Sequence, residues 1–179
     1  MGRASSAGVT GGSVRIRPEA PGDAAVIARV VKRAFEGHPH SAGTEARIVR
    51  TLRAADALSV SLVAEVGGQV LGYVAASPVS VAGQPSSWHG LGPVAVDPTI
   101  QRAGTGSALV AECLARLRDL GAAGCVVLGE PAFYGRFGFE PGTGLTFAEA
   151  LEEYFMALSF GASLPRGEVT YHAAFTDPG

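Results

Sequence analysis

A continuous apolar run, Cys125-Val126-Val127-Leu128, follows a segment of helical periodicity, Gly104 to Leu120, which follows a β-rich stretch, Trp88 to Val96. An unbroken run of that kind suits a strand covered on both faces. Strand, helix and buried strand in succession form a crossover, and strands joined through a covering helix run parallel. Within the helix, Leu109, Cys113, Leu117 and Leu120 are expected to face inward, with Glu112, Arg116 and Asp119 on another side.

The flanking segments do not repeat this pattern. Val14-Arg15-Ile16-Arg17 alternates as a strand does. Asp23 is placed to cap a helix carrying Val26, Ile27, Val30, Val31, Ala34 and Phe35 at helical spacing. Gly37-His38-Pro39-His40 ends that helix, and a second starts near Thr44, with Ile48, Val49 and Leu52 as its apolar face. Val60 to Val66 and Gln69 to Ser77 are β-rich and separated by Gly67-Gly68. A type I′ hairpin turn needs positive φ at both central residues, so paired glycines there signal a hairpin. Pro131 opens a short helix ending at Gly138, and Tyr154 to Phe160 and Val169 to Tyr171 are expected as late strands. The expected class is α/β or α+β: a mixed, mostly antiparallel central sheet with one parallel crossover.

At 179 residues the chain is expected to hold one domain, over residues 14–175, after a short flexible lead-in at 1–13. The lead-in has one Arg and no apolar core, unlike a secretory signal. Lys and Arg number 14 against 16 Asp and Glu. That balance predicts neither a nucleic-acid nor a membrane-surface partner. No apolar run approaches the ~20 residues of a membrane span. The two cysteines, Cys113 and Cys125, have neither C-x-x-C nor metal-ligand spacing, so reduced core thiols in a cytoplasmic protein, with no metal, are expected.

Chemistry concentrates in Val94-Ala95-Val96-Asp97-Pro98-Thr99-Ile100-Gln101-Arg102-Ala103-Gly104-Thr105-Gly106-Ser107, where a strand ends and a helix begins at two spaced glycines. The first N–H groups of a helix lack partners, and the helix dipole is positive there, so this is a site for phosphate. Gln101 and Arg102 are candidate side-chain donors. An ordinary tight turn explains the same glycines. The dinucleotide fingerprint requires a small third residue, where this chain has the bulky Leu109, although Glu130 follows at the next strand. A P-loop is excluded, because no G-K-[ST] follows.

The run Gln101-Arg102-Ala103-Gly104-Thr105-Gly106 resembles the [QR]-x-x-G-x-[GA] motif of the GNAT superfamily of N-acetyltransferases. Leu91-Gly92-Pro93-Val94-Ala95-Val96-Asp97-Pro98 resembles that family's fourth strand entering the pyrophosphate loop. Phe133-Tyr134-Gly135-Arg136-Phe137-Gly138-Phe139 resembles its later motif. With Val126-Val127-Leu128-Gly129-Glu130-Pro131 between them, the set is similar to a bacterial branch of predicted acetyltransferases, over about residues 14–175. Members often carry Gly and then Lys or Arg after the first Gln or Arg, whereas this chain has Arg102 and Ala103. The basic side chain is shifted by one position, and a side-chain contact from Ala103 is not expected.

The resemblance implies acetyl-CoA as co-substrate, lying where the fourth and fifth strands splay. It implies that Val94 and Val96 pair with the pantetheine arm, that the amides of Gln101, Arg102, Ala103, Gly104, Thr105, Gly106 and Ser107 hold the pyrophosphate, and that Phe133 and Tyr134 line the site. It makes Tyr134 the general acid at the leaving thiolate, and an N–H near Val94 or Ala95 the group that polarises the thioester carbonyl. Acetyl would pass directly to a primary amine, on a small molecule or a peptide, whose pocket is built from Phe35–Leu52 and Leu151–Phe175. Candidate bases are Glu36, His38, His40, Glu45 and His89. Glu45 shares a helix face with Ile48, Val49 and Leu52, so it is the candidate base or acceptor-site carboxylate; a first-turn Glu also suits the helix dipole without any catalytic role. A non-catalytic CoA-binding module of the same fold is the alternative. Homodimers are common in the family, and the late strands are where an interface is expected.

Overall fold

The computed structural model describes residues 12–161 and 163–177, so most of the expected lead-in lies outside the described residues. Its strands are β1 (Val14–Pro18), β2 (Val60–Val66), β3 (Gln69–Val81), β4 (Gln84–Val96), β5 (Gly124–Leu128), β6 (Glu140–Pro141), β7 (Leu145–Thr146), β8 (Phe155–Ser159) and β9 (Gly167–Thr170). The helices are α1 (Ala24–Phe35), α2 (Glu45–Ala54), α3 (Thr105–Asp119) and the single turn α4 (Pro131–Tyr134). The sheet runs β1-β2-β3-β4-β5-β8-β6, and β9 pairs with both β3 and β7. Pairing along the main path is antiparallel except between β4 and β5, the expected crossover.

Side-chain alternation sends neighbouring residues of one strand into different layers. Leu62, Val74, Leu91, Cys125 and Val127 meet α3 through Leu109, Val110, Cys113, Leu114 and Leu117. On the opposite face, Val63, Tyr73, Ala75 and Ala95 pack against Ile27, Val30 and Val31 of α1 and Val49 of α2. Further along that face, Trp88 and Val126 join Val79, Leu145, Phe155 and Val169. Gly124 sits under the Trp88 ring, and a Cβ there would lie 2.7 Å from the Leu158 carbonyl oxygen. Gly124→Ala is therefore expected to destabilise the fold by about 1–3 kcal/mol, the usual cost of overpacking, in urea melts.

Gly67 and Gly68 have φ of 59° and 79°, as the hairpin reading required. The two following strands are longer than the β-rich stretches Gln69 to Ser77 and Trp88 to Val96: β3 continues to Val81 and β4 starts at Gln84, so His89 lies within its strand rather than near the start. Asp23 stands at the N-cap of α1 without a side-chain capping bond. Its carboxylate instead accepts from Arg17 Nη1 at 2.6 Å and the Ala20 N–H at 2.7 Å. The bond from Arg17 holds its pKa below the usual carboxylate range. Leu120, expected on the inner face of α3, follows the last helical residue and is 63% exposed, while Val110 and Leu114 take inner positions.

Candidate functional site

The parallel ladder between β4 and β5 is three rungs long: Trp88 with Gly124, His89 with Cys125, and Gly90 with Val126. Beyond Gly90 the strands part. β5 stays paired to β8 as far as Leu128, and β4 stays paired to β3 as far as Val96. Between Leu91 and Val94, β4 carries one residue more than β3 opposite it, a bulge that bends the strand where it leaves β5.

Hydrogen-bond parity then fixes which amides face the gap. Asp97 N–H donates to the Leu71 carbonyl at 2.8 Å, so the pair Ala95–Tyr73, two residues back, also bonds inward. The N–H and C=O groups of Val94 and Val96 point away from β3, toward the parted strand. Of the two amides expected near the thioester carbonyl, the register leaves Val94 turned to the gap and engages Ala95 with β3. The Val96 carbonyl accepts from Gln101 Nε2 at 3.1 Å, so Gln101 braces the loop with its side chain.

Asp97 builds the turn out of β4. Its carboxylate accepts from Thr99 N–H at 3.0 Å and Thr99 Oγ1 at 2.7 Å, and Arg33 of α1 lies 3.3 Å away. Burial alone would raise its pKa, but the Thr99 bonds and the Arg33 charge hold it below the usual range. The chain then becomes left-handed at Arg102 (φ 67°) and Gly104 (φ 85°), a turn that gathers successive amides into a concave cradle. Gly104 is the N-cap of α3 and no side chain caps the helix, which leaves the N–H groups of Thr105, Gly106 and Ser107 free of intrahelical acceptors.

Two side chains stand at the start of α3, one buried and one charged. Thr105 is 2% exposed, yet its Oγ1 has no hydrogen-bond partner. Arg136 donates from Nη2 to Ser107 Oγ at 3.0 Å, and its guanidinium stands 4.9 Å from the Phe133 ring centroid. Neither Arg102 nor Arg136 has a carboxylate partner among the described residues. Sequence reasoning missed Arg136 as a neighbour of Ser107, because the two lie 29 residues apart and only the fold brings the turn after α4 to the start of α3.

On the same face as α3, Tyr134 is half-buried in the core cluster that includes Phe133, Phe139 and Cys125. Its ring packs edge-on to Phe133 (4.9 Å between centroids) and Phe139 (5.9 Å), and lies against Gly129, where a Cβ would sit 2.9 Å from Tyr134 Cδ2. The hydroxyl makes no hydrogen bond among the described residues, and burial pushes its pKa up to about 12.

The candidate bases are scattered. Glu45 is half-buried in the first turn of α2, with no hydrogen bond or ion pair among the described residues. Glu36, His38 and His40 are exposed beyond α1. His89 lies in the fully paired half of β4, where burial lowers its pKa. Among the described residues no group of three or more His, Cys, Asp or Glu is placed to hold a metal, and no helix is long and apolar enough to cross a membrane. Cys113 and Cys125 are free and buried.

A GNAT acetyltransferase domain model matches residues 57–141. The chain is 44% identical over 126 residues to the uncharacterized N-acetyltransferase YhbS of Escherichia coli K12, covering 70% of this chain and 72% of that protein. A GNAT-family acetyltransferase from Brucella melitensis, solved in complex with acetyl-CoA, is 47% identical, with TM-score 0.83 over 92% of this chain and 99% of its own. YhbS from Escherichia coli, solved in complex with CoA, also superposes at TM-score 0.83, with 37% identity over 94% of this chain and 95% of that one.

Proposed function

This chain belongs to the GNAT acetyltransferase family, and from that premise we propose that residues 14–175 form one domain that moves an acetyl group from acetyl-CoA to a primary amine by direct attack. The observation that carries this reading is the parting of β4 from β5 beside the uncapped N-terminus of α3. The Brucella relative's complex with acetyl-CoA supports the same donor. CoA offers an amide-bearing arm and a diphosphate. The chain offers outward-turned amides at Val94 and Val96, and a cradle of N–H groups from Gln101 to Ser107 flanked by Arg102 and Arg136.

Each residue then has a task. The cradle holds the pyrophosphate by charge-assisted hydrogen bonds. Val94 and Val96 extend the sheet onto the arm, and the Val94 N–H polarises the thioester carbonyl. Phe133 packs beside Tyr134 along the arm. The amine nitrogen forms a bond to the acetyl carbon as the carbon–sulfur bond breaks. Tyr134 gives its proton to the departing sulfur, and the amine sheds a proton to water. Glu45 is proposed as an acceptor-side carboxylate. The reaction so written asks for no metal, and two buried free thiols suit the reducing cytoplasm.

A thermal-shift titration with acetyl-CoA, CoA and NADH tests the donor site. Ligand at ~100 Kd adds about 2.7 kcal/mol, which for a domain of this size raises Tm by about 5–10 °C. A shift with both CoA forms and none with NADH is expected. No shift with either CoA form would reduce the Gln101–Gly106 loop to a structural turn.

A further inference from the structure

We propose that Tyr171 is a second phenol of the reacting centre, placed on the acceptor side, and that it receives an amine borne on an apolar group of aromatic size. The proposal rests on the acetyl-transfer reading above and extends it to the acceptor. Tyr171 lies against Gly90, where a Cβ would sit 2.9 Å from its Cδ1. Gly90 forms the last rung of the β4–β5 ladder, so the ring covers the point where the strands part. It reaches that point from the face of the sheet opposite Tyr134: Tyr171 packs with Val126, Trp88 and Val79, whereas Tyr134 packs with Cys125 and Val127. Two phenols thus approach one fork from its two sides.

The Tyr171 hydroxyl makes no hydrogen bond among the described residues. Ser77, opposite Gly90 on β3, is fully buried, and its Oγ has no partner either. Unlike Ser77 Oγ, the Tyr171 hydroxyl is not among the buried polar atoms that lack a partner, so it stays open to a ligand. Tyr171 also stands between two half-buried rings, Phe147 at 5.1 Å and Phe175 at 5.2 Å between centroids. That row offers ring faces and edges to an apolar group, and π-faces to its ammonium before deprotonation. The neutral Tyr171 oxygen accepts one N–H of the neutral amine and turns its lone pair toward the acetyl carbon. Tyr171 neither gains nor loses a proton in the step; the proton to sulfur still comes from Tyr134, and the amine's proton still leaves to water.

The test uses the full chain with acetyl-CoA and two probe amines, 2-phenylethylamine and n-butylamine, followed by thiol release. Wild type is expected to favour 2-phenylethylamine at least tenfold in kcat/KM. Tyr171→Phe, which keeps the ring, is expected to raise KM for 2-phenylethylamine five- to tenfold while leaving Tm and the calorimetric Kd for acetyl-CoA unchanged. Gly90→Ala, which keeps the hydroxyl and displaces the ring, should raise the same KM. An unchanged KM in Tyr171→Phe, or an equal loss of acetyl-CoA affinity, overturns the role of Tyr171. Absence of the aromatic preference, or no turnover of either amine by protein that binds acetyl-CoA, overturns the acceptor assignment and leaves the donor site standing. Failure of wild type to bind acetyl-CoA removes the donor reading and this assignment together.

Discussion

Tyr134→Phe is expected to lower kcat about 100-fold while acetyl-CoA affinity stays within twofold. The variant keeps what the ring does, since its contacts with Phe133, Phe139 and Gly129 involve ring atoms alone. It removes only a hydroxyl that bonds to nothing among the described residues. The same hydroxyl predicts a pH effect. Burial raises the pKa to about 12, which favours the protonated form, so the donor proton is present at lower pH and is lost only as pH rises toward that value. Turnover by wild type should therefore show no alkaline loss of a general acid near pH 10, the ordinary phenol range. Steady-state thiol release from pH 7 to 11, with calorimetry on the same samples, checks both. Wild-type turnover in a natively folded Tyr134→Phe protein would leave Tyr134 with packing alone, and the acid would have to be sought elsewhere.

Gly104→Asp is expected to weaken acetyl-CoA binding by about 10³-fold. Gly104 has φ 85° with open space where a Cβ would go, and Asp tolerates the left-handed conformation better than most residues, so the fold should survive. The new carboxylate lies beside the free N–H groups of α3, where it meets the needs of the helix end and repels an incoming diphosphate. Loss of two charge-assisted hydrogen bonds at ~2 kcal/mol each accounts for the factor. Gly104→Asn, of similar shape and no charge, should lose far less. Equal affinity of the Asp variant and wild type by calorimetry would remove the pyrophosphate from the start of α3.

The elements legible in the sequence are those whose cause is local. Gly67-Gly68 announced its hairpin because the turn demands two positive φ values, and 125–128 announced a buried strand because nothing polar interrupts it. The Ala82-Gly83 turn is hidden for the same reason: Ala82 takes φ 50° at the position where Asn, Asp or Gly usually stands, so the full lengths of β3 and β4 do not show in the sequence. β6 and β7, two residues each, are too brief for any period to register. Asp23 does stand at the N-cap of α1, but its carboxylate is engaged by Arg17 of β1 rather than by the helix, a pairing across elements that no spacing shows. The site divides in the same way. Its strand–turn–helix loop is contiguous and was read directly, and Tyr134 came from the resemblance. Arg136 beside Ser107 and Tyr171 beside Gly90 are products of tertiary packing, which no spacing in the chain encodes.

The parting of β4 from β5 carries a further consequence, for mutational tolerance. A strand inserted between two others needs them about 10 Å apart, a width set by backbone spacing. Here the opening follows from a bulge and from where a three-rung ladder stops. Side chains lining the slot can therefore drift without closing it, and one scaffold can keep its donor while its acceptor surface is rebuilt. The vulnerable positions are instead the few that govern the strands' divergence: deleting one residue between Leu91 and Val94 would bring β4 into one-to-one register with β3 and erase the bulge that bends it where it leaves β5.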